Sequence, residues 1–93
     1  MVDSLALSAA ARLAKVLMRL AKLWSPGLHQ GDPVRLLLSQ SELGAMSGLS
    51  RESVNKLLGS WRDAGWIRLS NRSVTLRDVA AIARLSRVSI SQH

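Results

Sequence analysis

Apolar residues recur at helical spacing near the start of the chain. Leu13, Val16, Leu17, Leu20 and Trp24 stand at i, i+3, i+4, i+7 and i+11, the spacing of one helix face. Arg12, Lys15, Arg19 and Lys22 fall on the other face. The pattern predicts one amphipathic helix over residues 4–24, stopped by Ser25-Pro26-Gly27 because such residues cannot extend it. A core-facing helix with a solvated basic face is the simplest reading. A helix lying on a membrane surface is the alternative, disfavoured because the rest of the chain needs a helix to cover its core. Residues 26–33 crowd Pro, Gly and Asp into a loop. Val34 to Leu38 is a short apolar run after Pro33, too short for a helix. It predicts a strand that mates with two strands further on.

From residue 39 the pattern changes to short helices with explicit start and stop signals. Ser39-x-x-Glu42 fits a capping box, in which hydroxyl and carboxylate each satisfy an orphan N–H at a helix start. That helix should run to Ser47 and end at Gly48, which can adopt the left-handed backbone a tight turn needs. Leu49 can plug the core at the turn, and Ser50 can cap a second helix from Arg51 to Ala64, ended by Gly65. Trp66–Leu69 and Ser73–Leu76 predict a hairpin around Ser70-Asn71-Arg72, with Asn71 expected to take the positive φ of its turn. Asp78 should cap a last helix over 78–86, whose Val79, Ile82 and Leu85 share a face. Residues 87–93 should fray.

These elements make one domain over residues 1–93. It is α+β and mostly helical, with a small antiparallel sheet: an N-terminal helix (4–24), a helix-turn-helix (39–64), a wing hairpin (66–76) and a C-terminal helix (78–86). That is a winged helix-turn-helix. Two helices joined by a short turn pack closely only where a side chain at their crossing is small, and Gly44 and Ala45 offer that. Leu43, Leu49, Val54 and Leu57 would bury against the other helix and the core. The second helix would then hold its N-terminal turn outward.

Composition narrows what such a domain meets. The 93 residues carry thirteen Arg and Lys against six Asp and Glu, a net charge of +7. Residues 34–93 hold +5 of it and residues 1–33 hold +2. The excess therefore lies with the helix-turn-helix, and a basic excess favours a polyanion. Ten of the thirteen bases are Arg, the better fork for phosphate and guanine. With no Phe or Tyr and only Trp24, Trp61 and Trp66, the core must be aliphatic, with those tryptophans as large fillers. With no cysteine, disulfides, thiol catalysis and Cys-based metal sites are excluded. His29 and His93 have no spacing that suggests a metal pair, so neither a metal nor a cofactor site is expected. No run approaches the length of a membrane span and no secretory leader is read. A bacterial-type cytoplasmic protein is the expectation.

Arg51, Glu52, Asn55 and Lys56 lie at i, i+1, i+4 and i+5 on one exposed face of the second helix. All four are long or amide side chains that can reach base edges in a major groove. Ser39, Ser41, Ser50 and Ser53 cluster near two helix N-termini, where hydroxyls, N–H groups and helix dipoles favour a phosphate. Arg72 at the hairpin tip is placed to touch a DNA backbone from the wing. Each has a plainer reading: Glu52 and Lys56 as an exposed i,i+4 pair, the serines as caps only. The joint pattern is what favours DNA. A winged helix that holds a protein partner is the alternative. An enzyme finds no support, since no carboxylate pair, nucleophile with base, or metal cluster is visible.

At Ser50-Arg51-Glu52-Ser53-Val54-Asn55-Lys56-Leu57-Leu58 the chain resembles the Crp/Fnr family of bacterial transcription regulators, and the resemblance runs from about Leu13 to Leu85. The strand before the motif, the Gly65-Trp66-Ile67 step and the Asp78-capped helix look like that family's C-terminal DNA-binding domain. The resemblance implies base contacts by Arg51, Glu52, Asn55 and Lys56, and phosphate contacts by Ser39, Ser41, Ser50, Ser53 and Arg72. Glu52 would accept from a cytosine amino group and Arg51 would fork onto a guanine. Double-stranded DNA is the implied partner, with a homodimer and a contact to RNA polymerase as further ones. Two departures stand out. Position 56 is usually Arg in the family, and Lys56 keeps the charge but not the bidentate fork. The chain also has no room for the family's effector-binding β-roll and long dimerisation helix. It reads as a DNA-binding domain of a longer regulator or a small stand-alone relative.

Overall fold

The chain forms seven elements in the order helix, strand, two helices, two strands, helix. They are α1 (Val2–Trp24), β1 (Val34–Leu36), α2 (Gln40–Ser47), α3 (Arg51–Asp63), β2 (Ile67–Ser70), β3 (Ser73–Leu76) and α4 (Val79–Ser86). The structure, a computed structural model, describes the backbone of residues 2–25 and 32–87 and the side chains of residues 9–25 and 32–87. The expected loop over 26–33 therefore lies mostly outside the described residues. So do His29, His93 and residues 88–93 of the expected tail.

The amphipathic reading of α1 is met along its middle. Leu13, Leu17, Ala14 and Ala21 are fully buried and Val16 and Leu20 nearly so, while Lys15, Arg19 and Lys22 are exposed. Trp24 departs from it, at 44 % exposed beside Leu23 at 71 %. It keeps the core-side angle, but the buried face of α1 ends at Ala21, and Trp24 stands past it at the last residue. Arg12 also departs. Its guanidinium donates to the Ser47 carbonyl at 3.0 Å and the Gly48 carbonyl at 3.3 Å. A helix C-terminus leaves carbonyls unpaired and carries partial negative charge, so Arg12 ties α1 to the end of α2.

The three strands form one antiparallel sheet in the order β1-β3-β2. Val34 pairs with Leu76 on one side of β3, and Ile67 pairs with Leu76 on the other. The expected strand over 34–38 ends two residues early, at Leu36, and pairs with β3 alone. Strand β2 is shifted one residue, starting at Ile67, because Trp66 closes the end of α3. The Trp66 N–H donates to the Trp61 carbonyl at 2.9 Å, the Gly65 N–H donates to the Arg62 carbonyl at 2.9 Å, and Gly65 has φ 83°. That pair of bonds around a left-handed glycine is a Schellman stop. The Trp61 and Trp66 rings, with centroids 6.4 Å apart, add the apolar contact that accompanies it.

One aliphatic core lies between α1, the sheet and the inner faces of α3 and α4. Leu13, Leu17, Leu36, Leu43, Leu58, Ile67, Leu76 and Ile82 are its largest fully buried members. Trp61 is buried in it and Trp66 packs against its edge. The observed architecture is the expected winged helix-turn-helix. Among the described residues no helix is long and apolar enough to cross a membrane.

Candidate nucleic-acid interface

The helix-turn-helix is set by a glycine at each critical point. A Cβ on Gly44 would stand 2.9 Å from the Leu49 carbonyl oxygen and 3.8 Å from Val54 Cγ2, so α2 and α3 cross with no room for a side chain there. Ala45 is exposed. Gly44 alone is the small residue at the crossing, because one helix position, not two, faces the partner's backbone. Gly48 ends α2 at φ 74°, and its own N–H and that of Leu49 both donate to the Gly44 carbonyl. The chain then turns within two residues into Ser50, the N-cap of α3.

That turn fixes which face of α3 looks outward. Val54, Leu58 and Trp61 are buried on one side, with Leu57 half-buried. Arg51, Glu52, Asn55 and Lys56 are all exposed on the other. Glu52 and Lys56 form no ion pair with each other. Among the described residues the only such pair joins Arg62 and Asp63, at 3.3 Å and well exposed. Glu52, Asn55 and Lys56 therefore face solvent unpaired among the described residues, around a shallow hollow that they line with Ser53.

The serines divide into two groups. Ser39 and Ser41 line a cleft of about 280 Å³ between the start of α2, the start of α3 and the wing, together with Gln40, Arg51, Ser70, Asn71, Arg72 and Ser73. Ser50 and Ser53 stand apart from it, at the first turn of α3. Their hydroxyls are not equally available. Ser39 Oγ accepts from the Glu42 N–H at 3.1 Å, which leaves its own proton to donate. Ser50 Oγ accepts from the Ser53 N–H at 3.1 Å and donates to Ser53 Oγ at 3.0 Å, so the free proton of that pair sits on Ser53. Arg51, read from sequence as a base-facing residue, also borders the cleft.

Two features of the cleft escaped the sequence reading. Arg72, not Asn71, takes the left-handed backbone of the hairpin turn, with φ 60°. The register pairs Ser70 with Ser73, leaving Asn71 and Arg72 to make the turn, and only the second needs positive φ. Ser73 is 3 % exposed, and its hydroxyl has no hydrogen-bond partner among the described residues. A serine in a strand gives no sign in sequence of the side it will face until the register is known.

The capping box of α2 sits at the rim. The Ser39 N–H donates to Glu42 Oε1 at 2.7 Å. This bond first, then the Ser39 hydroxyl beside the carboxyl, hold the Glu42 carboxyl below its ordinary value; desolvation opposes them, and the positive charge of Arg72 adds the smallest contribution.

The sequence and fold are similar to those of known proteins. Residues 11–91 match the family of Crp-like helix-turn-helix domains. A CRP-like cAMP-activated global transcriptional regulator of Mycobacterium tuberculosis (strain H37Rv) is 40% identical over 78 residues, 82% of this chain and 34% of that protein. Two solved structures from Thermus thermophilus are similar in fold. A transcriptional regulator of the CRP/FNR family has 29% identity and a TM-score of 0.72 over 85% of this chain and 40% of that one. The catabolite activator protein has 28% identity and a TM-score of 0.67 over 87% of this chain and 35% of that one. The chain thus spans about a third of the curated relative's length. It belongs to the Crp-like helix-turn-helix domain family, the DNA-binding part of Crp/Fnr transcription regulators.

Proposed function

We propose that this domain binds duplex DNA with the N-terminal half of α3 in the major groove and serves transcription regulation. Arg51, Glu52, Asn55 and Lys56 read base edges. Ser39, Ser41, Ser50, Ser53 and Arg72 hold phosphates on either side. The observation that carries the reading is the two-sided character of α3. Its inner face is locked into the core, while four long polar side chains stand together and exposed on its outer face. A rigid helix presenting such a face is what groove readout needs.

Phosphate contacts position the domain and base contacts specify the sequence. Ser41 and Ser53 supply hydroxyl protons, Arg72 a charge from the wing, and the first turns of α2 and α3 their N-terminal dipoles. Lys56 offers a single point charge where an arginine would fork, so guanine preference is weaker at the base pair it meets. One domain alone binds weakly and with strong salt dependence. A homodimer of a longer regulator would supply a second half-site and with it avidity, and RNA polymerase is a further partner of that assembly. The role is one of binding, without chemistry, and a DNA partner implies a cytoplasmic location.

The test is a fluorescence titration against a duplex that the chain itself selects from a random pool, with an unrelated duplex as reference. Replacing Arg51, Glu52 and Lys56 together with Ala should bring the two affinities together. Each good base contact is worth about 1–3 kcal/mol of discrimination. Discrimination unchanged in the triple variant contradicts the reading. A flat salt response would point instead to a protein partner.

A further inference from the structure

We infer that Glu42 is a positioning residue for Arg72: it draws the wing-tip guanidinium toward α2 and so withholds part of its charge from phosphate in the neighbouring cleft. The inference rests on the DNA-binding reading of that cleft. Arg72 borders two hollows. One is the cleft shared with Ser39, Ser41, Arg51 and Ser73. The other, of about 380 Å³, is lined by Leu37, Leu38, Glu42, Asn71 and Arg72. Arg72 is the charged residue common to both, and Glu42 belongs to the second alone.

Both ends of the coupling are anchored. The Glu42 carboxylate is tied to the start of α2, where its Oε1 accepts from the Ser39 N–H at 2.7 Å. The Arg72 backbone is fixed at φ 60° at the tip of a two-residue turn, so its side chain starts from a set point between the hollows. No direct ion pair closes between the two among the described residues. The attraction acts over a gap, and the guanidinium stays free to be shared. Beside this shared hollow, Arg72 adds the smallest of the contributions that lower the Glu42 carboxyl pKa. The charge is not required to close the cap, since a glutamine at this position also completes a capping box. An acid beside a phosphate-facing arginine lowers the electrostatic, sequence-independent part of binding.

The experiment is a double-mutant cycle with Glu42→Gln and Arg72→Ala, read against a fluorescein-labelled duplex of mixed sequence at low salt. Glu42→Gln should bind about two- to fivefold tighter, the scale of an exposed charge pair, and the gain should fade as salt is raised. In the Arg72→Ala background the gain should vanish. A gain of equal size in both backgrounds means that Glu42 repels DNA directly and overturns the inference, as does no gain at all. A second readout needs no DNA. Carboxyl ¹³C titration of the unsubstituted chain and of Arg72→Ala should show the Glu42 pKa rising when the arginine is removed, though staying below the usual range because the Ser39 bonds remain. An unmoved pKa overturns the inference whatever the DNA result. A moved pKa with no salt-dependent DNA binding by the unsubstituted chain leaves the Glu42–Arg72 coupling standing and removes its consequence, by contradicting the DNA reading itself.

Discussion

Gly44 has no room for a methyl group, and what blocks it is backbone. The Leu49 carbonyl oxygen, 2.9 Å from where a Cβ would stand, cannot rotate aside as a side-chain end would. Gly44→Ala should therefore push α2 and α3 apart at a cost of about 1–3 kcal/mol, read as a fall of roughly 5–20 °C in Tm. Ala is the better helix former at an exposed site, so an unchanged or raised Tm would mean that the crossing is looser than it stands here. This residue was legible from sequence, because a glycine inside a helix beside a capped turn marks a close approach of another backbone. Arg72 was not. Asn tolerates positive φ better than Arg, which pointed to Asn71. The sheet register decides which turn residue takes the strained conformation, and register depends on partners far along the chain.

Helix α2 shows what local chemistry can do for an element of only eight residues. It carries a complete capping box at Ser39 and Glu42, a left-handed glycine stop at Gly48, and the Arg12 guanidinium on its last carbonyls. The first two are written in adjacent residues and were readable. The third joins residues thirty-five apart, and Arg12 looked like one more charge on a solvated face. The cap also has a pH signature. The folded-state pKa of Glu42 is lowered, so the unfolded state binds the proton more tightly. The resulting stability is fully present above the unfolded-state value and is lost as pH falls through the lowered folded-state value. Thermal melts should show the difference between the unsubstituted chain and Glu42→Gln shrinking as pH drops below the usual carboxylate range, and steady near neutrality. A difference that grows on acidification would contradict the assigned direction.

Over the whole molecule, the order of elements and the class of fold could be read because each helix announces its ends. Ser39, Ser50 and Asp78 cap the three later helices as expected, and Gly48 and Gly65 stop two of them. What sequence could not supply was the meeting of distant parts. The cleft joins the start of α2, Arg51 and the hairpin tip, and it exists only once β3 lies between β1 and β2. The exposed face of α3 and this cleft lie next to each other, with Arg51 at the boundary, and together form the surface proposed to meet DNA. The most direct test of that surface is an amide chemical-shift titration of the ¹⁵N-labelled chain with duplex DNA. Shifts should concentrate at Ser39–Ser41, Arg51–Lys56 and Asn71–Ser73, and should fade as salt is raised. Shifts confined to α1 and α4, with α3 silent, would contradict the central claim.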